Sequence, residues 1–101
     1  MKNRPWDIIA AIKLFATEEG GRQGPTPANR FGCMMQVGEL VLDMRMHLDQ
    51  VGPLSPGQEV VVPISFLNPA LAAKYCSVGT SFTLREARPI GEGLIQEIAF
   101  V

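Results

Sequence analysis

A period of two over residues 40–49, with an apolar side chain at every even position, is the feature that most constrains the fold of this chain. Leucine or methionine occupies every even position from Leu40 to Leu48, and Asp43, Arg45 and His47 lie between them. Successive side chains of a β-strand point to opposite faces, whereas an α-helix repeats every 3.6 residues. The segment is therefore predicted to be a strand with one buried and one solvated face.

Five other segments are rich in β-branched or aromatic residues, and most of them are bounded by glycine or proline. These properties are typical of strands. The predicted strands are residues 7–15, 31–37, 59–67, 80–86 and 94–101.

The connections between these strands carry their own signals. The Ser55-Pro56-Gly57 sequence fits a type II turn leading into residues 59–67. Pro63 lacks a backbone donor, so we expect it at a sheet edge, at a bulge, or with its nitrogen facing away from a neighbouring strand. Residues 69–75 fit one or two helical turns capped by Asn68, and residues 20–29 are predicted to be a long loop.

No segment has a sustained helical period, so no crossover helix is available to connect parallel strands. An all-β barrel or sandwich with antiparallel pairing is the predicted architecture. The length of 101 residues suits one domain, predicted to span residues 1–101 with residues 1–5 disordered.

Composition narrows the classes of function. Hydrophobic residues make up 47% and charged residues 19% of the chain, which is typical of a folded globule, and the formal net charge is -1. A general nucleic-acid binder is not expected, because the chain as a whole lacks a positive field. Cys33 and Cys76 are predicted to be buried free thiols of a reducing compartment. No signal peptide or spanning helix is evident, so we expect a cytoplasmic protein with no membrane association.

Three sequence motifs, in order, resemble the third, C-terminal domain of elongation factor Tu. Glu19-Gly20-Gly21-Arg22, followed by Pro25, is similar to its E-G-G-R-x-x-P motif. Residues 54–62, continuing to 66–70, resemble its M-P-G-D-N strand entry and its H-P-I-A segment. Residues 82–95 look like F-A-I-R-E-G-G-R-T-V-G-A-G-V-V, with Ala87 in place of the paired glycines.

The resemblance implies a closed six-stranded antiparallel Greek-key barrel that stands without the GTPase domain. The sequence has neither a G-x-x-x-x-G-K-[ST] loop nor an N-K-x-D element, so GTP binding is not expected. In the full factor the barrel is a docking surface that also approaches the T-stem of tRNA. Of these two roles, the resemblance implies only the general one, docking, for this chain.

Two charged segments, residues 19–22 and residues 85–88, are the candidate binding sites. The glycines of the first segment could present backbone N–H groups to an anion beside the arginine, or could simply form a turn whose arginine pairs with an acid. The second segment could recognise an acidic partner or an RNA backbone, or could be a salt-bridged hairpin. The candidate residues are Glu19, Gly20, Gly21 and Arg22 in the first segment and Arg85, Glu86 and Arg88 in the second.

His47 is the only histidine, and it shares the polar face of its strand with Asp43, Arg45 and Asp49. A metal site or a general base is one interpretation, and a solvated strand face is the other. The sequence shows no nucleophile next to it, so the solvated face is favoured. A catalytic pair of the two cysteines with His47 has no local signature either.

From these observations the sequence predicts a non-catalytic module without cofactor or metal, which binds a protein partner or its own copy. RNA binding, by analogy with tRNA contact, is the alternative. A docking module should carry an apolar patch rimmed by polar residues on its outer face, and Trp6 and Leu67 are candidates for it.

Overall fold

The computed structural model describes residues 5–100 as a closed β-barrel. A single turn of 3-10 helix at Thr17–Glu19 follows the first strand. The strands are β1 (Ile8–Leu14), β2 (Arg30–Val37), β3 (Leu40–His47), β4 (Glu59–Phe66), β5 (Ser81–Arg85) and β6 (Pro89–Ile98), and the one α-helix is α1 (Pro69–Ala73).

All neighbouring strands pair antiparallel, in the closed order β1-β4-β3-β2-β5-β6. Strands β2, β3 and β4 follow one another in space, and β1 lies beside β4, which is the Greek-key arrangement. The predicted all-β, closed six-stranded barrel is confirmed. Because β1 and β2 are three positions apart in a ring of six, they lie on opposite sides of the barrel.

The barrel interior is filled by the alternate residues that the pattern predicted. Leu42, Met44 and Met46 of β3 point inward, and Val62 and Ile64 of β4 do the same. A six-stranded barrel is narrow enough for side chains to fill it completely. The interior is therefore a packed core rather than a ligand cavity.

The predicted start of the last strand is wrong, because β6 begins at Pro89 rather than at residue 94. The glycines of this segment indicated a turn, but they lie within the strand where neighbours come close. A Cβ on Gly91 would lie 2.6 Å from the Lys13 carbonyl oxygen, and one on Gly93 would collide with the Phe82 ring. The predicted end, Val101, lies outside the described residues.

The predicted turn and the short helix are confirmed. The Gln58 N–H donates to the Ser55 carbonyl at 3.0 Å and Gly57 has a φ of 87°, as a type II turn requires. Asn68 Oδ1 accepts from the Leu71 N–H at 3.2 Å at the start of α1. Pro63 has no donor to offer a neighbouring strand. Strand β3 pairs with β4 only at residues 64–66, so Pro63 falls outside that ladder and no β3–β4 pair requires its missing N–H.

Residues 20–29 form the predicted long loop, and the buried Thr26 fixes it to the barrel. Its Oγ1 accepts from the Leu54 N–H at 2.9 Å, and its own N–H donates to the Leu54 carbonyl at 2.9 Å. The loop is thereby held against the connection between β3 and β4.

The beginning of the described chain is anchored at β4. The buried Asp7 accepts a hydrogen bond from the Phe66 N–H at 2.8 Å. Of the segment predicted to be disordered, residues 1–4 lie outside the described residues, and the Pro5 carbonyl accepts from the Ser65 hydroxyl at 3.0 Å. Across residues 5–100 there is no helix with the length and apolar character needed to cross a bilayer.

Candidate functional site

The first predicted site, Glu19 to Arg22, is a turn whose polar groups bond within the chain. Glu19 Oε1 accepts from the Ala16 N–H at 3.2 Å. The Gly20 N–H donates to Thr17 and the Gly21 N–H to Ala16, at 3.1 and 3.0 Å. The two glycine amides therefore already have acceptors in the turn and do not converge on an outside anion.

The guanidinium of Arg22 bonds on all three nitrogens. Nη1 pairs with Glu86 Oε1 at 2.6 Å, and Nε and Nη2 donate to the carbonyl oxygens of Gly24 and Pro25, each at 3.2 Å. The same group lies 4.9 Å from the centre of the Phe31 ring. These contacts tie the 20–29 loop to β2 and to the end of β5.

The structure brings the two predicted segments together at this corner of the barrel. Besides the Arg22–Glu86 pair, Arg88 Nη2 donates to the Gly21 carbonyl at 3.4 Å. Arg85 points elsewhere, donating to Gln36 Oε1 at 3.1 Å across β2. Arg88 stays exposed, so it is the arginine of this corner that an external ligand can reach most readily.

His47 has a partner that the sequence did not reveal. Its Nε2 lies 2.6 Å from Ser65 Oγ, and the Ser65 hydroxyl donates to the Pro5 carbonyl. Because that bond uses the only hydroxyl proton, Nε2 carries a hydrogen and donates to Ser65. A base that activates serine needs the opposite polarity, so the pair is arranged as a structural link. Ser65 pairs directly with Arg45, so its contact with His47 is diagonal and follows from the strand register.

The two cysteines differ in burial: Cys76 is buried as predicted, whereas Cys33 is only half-buried. Both are free thiols, and Cys33 Sγ lies 3.8 Å from Met44 Sδ. Burial, with a smaller contribution from the Glu86 carboxylate, raises the pKa of Cys33 from 9.0 to about 12, although Arg22 opposes the shift. Within residues 5–100, no three His, Cys, Asp or Glu side chains come together to form a metal site.

A groove of about 830 Å³ crosses the outer side of β2, β3 and β4 and continues to the end of β5. We call it the β2 groove. Its centre is Gly32, which pairs with Arg45. Charged and apolar residues line it together. The charged ones are Arg30, Asp43, Arg45, Arg85 and Glu86, and the others include Cys33, Met34 and Leu67, with the core residues Met44 and Phe66 behind them.

The opposite side of the barrel carries an apolar row, which we call the β1 face. Ala11 pairs with Val61 on one side and with Leu94 on the other, so the three side chains stand in line across β4, β1 and β6. Val61 is 50% and Leu94 45% exposed. The small Ala11 between them leaves a depression of about 540 Å³.

Polar and charged side chains border this depression. In the next row, Lys13 pairs with Glu59 of β4 and Glu92 of β6, and all three are exposed. In the row on the other side, the half-buried Ile9 pairs with Pro63 of β4 and with the exposed Glu97 of β6. The β1 face is therefore an apolar patch with a charged row along one side.

The predicted patch residues Trp6 and Leu67 lie outside the β1 face. Leu67 is 77% exposed and stands at the rim of the β2 groove. The indole nitrogen of Trp6 is buried and has no hydrogen-bond partner in the described part of the chain. The apolar outer patch exists, but β1 supplies its centre.

Comparison of the chain with protein-family models finds no matching family, and a search of curated proteins finds no match either.

Proposed function

We propose that this barrel is a non-catalytic docking module that binds a protein partner through the β1 face. The observation that carries the proposal is the line of Val61, Ala11 and Leu94, exposed on the outside of a closed barrel with a charged row beside it. Exposed apolar surface of this kind, rimmed by polar residues, is typical of protein interaction sites. The resemblance to the third domain of elongation factor Tu, a docking barrel in that factor, supports the same role.

The charged row indicates what the partner presents. Glu59, Lys13 and Glu92 alternate negative, positive and negative. A partner segment with an apolar side chain for the depression and a Lys or Arg opposite each carboxylate complements this pattern. The partner is therefore expected to carry basic residues around an apolar anchor.

Self-association through the same face is less favourable. If two copies face each other with parallel strands about a two-fold axis, Lys13 lies against its own copy and Glu59 against Glu92. If the strands run antiparallel, the charged row covers the row of Pro63, Ile9 and Glu97. Lys13 then lies on Ile9, and Glu92 lies against the Glu97 carboxylate. Like-charge contact and unpaired burial of charge both cost free energy.

Selection from a displayed peptide library tests the proposal. The wild-type domain should enrich peptides with an aliphatic or aromatic residue flanked by Lys or Arg, and the Val61→Lys/Leu94→Lys variant should lose them. Val41→Lys is the matched control, because Val41 is 46% exposed on β3, away from the β1 face. Enriched peptides that bind the double variant as well as the wild type would contradict the proposal, and a concentration-dependent dimer in sedimentation would move self-association ahead of it.

RNA binding is the alternative function, and the exposed Arg88 is the feature that favours it. Retention of the domain on tRNA should then weaken steeply with salt, and Arg88→Ala should reduce the slope by about one phosphate contact. Absence of retention on tRNA at low salt would eliminate this alternative.

A further inference from the structure

The β2 groove contains a glycine that the fold does not require. Gly32 is in the middle of β2, and its φ is not positive. The nearest atom to a Cβ built there is the Met44 carbonyl oxygen, at 3.8 Å, which is an ordinary contact. Gly93 of β6, by contrast, has no room for a side chain. Glycine inside a strand weakens it, and where packing does not explain it, it marks a place where a ligand or another chain approaches the backbone.

The missing side chain exposes an arginine that has no partner within residues 5–100. Arg45 is directly across from Gly32 on β2 and from Ser65 on β4, and both neighbours are uncharged. Along its own strand the nearest carboxylate is that of Asp43, two residues away, roughly 7 Å along the strand. The guanidinium of Arg45 therefore has free donors above the depression at Gly32.

Once the ion pairs are taken into account, the side chains that line the groove carry one net positive charge. Arg30 is paired with Asp49 at 2.6 Å, and Glu86 is paired with Arg22. Arg85 bonds only to the neutral amide of Gln36, so Arg85 and Arg45 together exceed the single remaining carboxylate, Asp43. A groove with one excess positive charge suits a monoanion, and the acids at its rim disfavour a dianion such as a phosphate monoester.

The floor of the groove is apolar and adaptable. Met34 lies between Asp43 and Arg85 on the outer surface. The exposed Leu67 is the other apolar side chain of this surface, whereas Met44 belongs to the buried core. Methionine side chains repack readily around ligands of different shape. The volume of about 830 Å³ is within the range of clefts that enclose small organic ligands.

We propose that the β2 groove binds an organic monocarboxylate with an apolar body, whose carboxylate pairs with Arg45 above Gly32 and whose apolar part lies on Met34 and Leu67. The carboxylate can belong to a free medium-chain acid or to a peptide that ends in an apolar residue. This site is on the side of the barrel opposite to the β1 face, and it does not depend on the docking proposal.

Titration with octanoate, followed by the backbone amide shifts of the folded domain, tests the site. Octanoate should shift the amides of residues 32–34 and 44–45, and octanamide should bind at least tenfold more weakly because it lacks the charge. A second arm uses a short peptide with a C-terminal leucine, as the free acid and as the amide. Tighter binding of the peptide acid than of octanoate identifies a peptide as the source of the carboxylate, and the reverse identifies a free acid.

Two variants distinguish this site from nonspecific adsorption. Arg45→Gln should weaken octanoate binding at least tenfold, and Gly32→Leu should weaken it similarly by filling the depression. Arg88→Ala and Gly24→Ala are the matched controls, since neither residue lines the groove and a Cβ on Gly24 meets nothing within 4 Å. Gly32→Ala is the second, smaller variant if the leucine disturbs the fold. Absence of shifts with both probes, or equal binding by wild type and Arg45→Gln, would overturn the proposal.

Discussion

The β1 face and the β2 groove are opposite sides of one barrel, and their strands are paired very differently. Strand β1 pairs with β4 over six residue pairs and with β6 over seven. On the other side, β2 and β3 pair over eight residue pairs, but β2 pairs with β5 over only three and β3 with β4 over only three. Long ladders leave a flat, closed surface, whereas short ladders let the strands separate and open a groove between their ends. The β1 side is thus suited to contact a surface, and the β2 side to enclose a ligand.

Chemical modification of Cys33 tests how strongly the surroundings of this thiol in the groove oppose its ionisation. With its pKa at about 12 instead of 9.0, the thiol should react with iodoacetamide at pH 8 on the order of a thousandfold more slowly than an ordinary thiol. Mass spectrometry of the alkylated peptides measures the rate, and the protein unfolded in urea is the control. A rate within tenfold of the unfolded protein would mean that solvent reaches the sulfur freely.

The same thiol makes stability depend on pH in a defined direction. In the unfolded chain Cys33 ionises near pH 9, while in the folded barrel it stays protonated until about pH 12. The unfolded state therefore binds fewer protons between these values, and the free energy of unfolding falls as pH rises from about 9 to about 12. Urea unfolding of the wild type and of Cys33→Ser should show a shallower fall in the variant, and equal slopes would contradict the shift.

Gly93→Ala tests the closely packed side of the barrel. The new Cβ would collide with the Phe82 ring and lie 2.9 Å from Ile12 Cδ1, so the variant should lose about 3 kcal/mol of unfolding free energy. Chemical denaturation measures the loss. In a Phe82→Leu background the cost of Gly93→Ala should be smaller, because the colliding ring is gone. Equal costs in both backgrounds would show that the ring is not the cause.

Asp7→Ala tests how β1 is anchored to the end of β4. The change leaves the Phe66 N–H without its acceptor, and an unsatisfied buried donor should cost about 2 kcal/mol. Asp7→Asn keeps an oxygen acceptor and is expected to cost less. Thermal unfolding of the two variants ranks them, and an alanine variant as stable as the asparagine variant would show that this hydrogen bond contributes little.

The sequence predicted the strands better than it predicted the glycines between them. Alternation identified β3 and β4, because one face of each strand has to be buried and the period is fixed at two. The start of β6 was missed because Gly91 and Gly93 resemble turn residues locally. The glycines are required by the close approach of Lys13 and Phe82, which belong to the neighbouring strands β1 and β5.

The candidate sites show the same limit. The sequence identified the charged residues of the 19–22 and 85–88 segments, but it could not show that Arg22 would use its donors on Glu86 and two carbonyl oxygens. The Ser65 partner of His47 and the line of Val61, Ala11 and Leu94 depend on the register between strands. Register follows from the barrel as a whole, and no local pattern in the sequence specifies it fully.

Gly32→Ala has the smallest expected effect, and it separates the two sides of the barrel most sharply. Because a Cβ fits at Gly32 and alanine restricts the unfolded chain, the variant should gain roughly 0.5–1 kcal/mol of unfolding free energy, opposite in sign to Gly93→Ala. Denaturation of the two variants side by side measures this. If Gly32→Ala is destabilised as Gly93→Ala is, packing or backbone conformation requires glycine on both sides. If it is stabilised, this glycine costs stability that the fold does not need, as expected for a position kept open for a ligand.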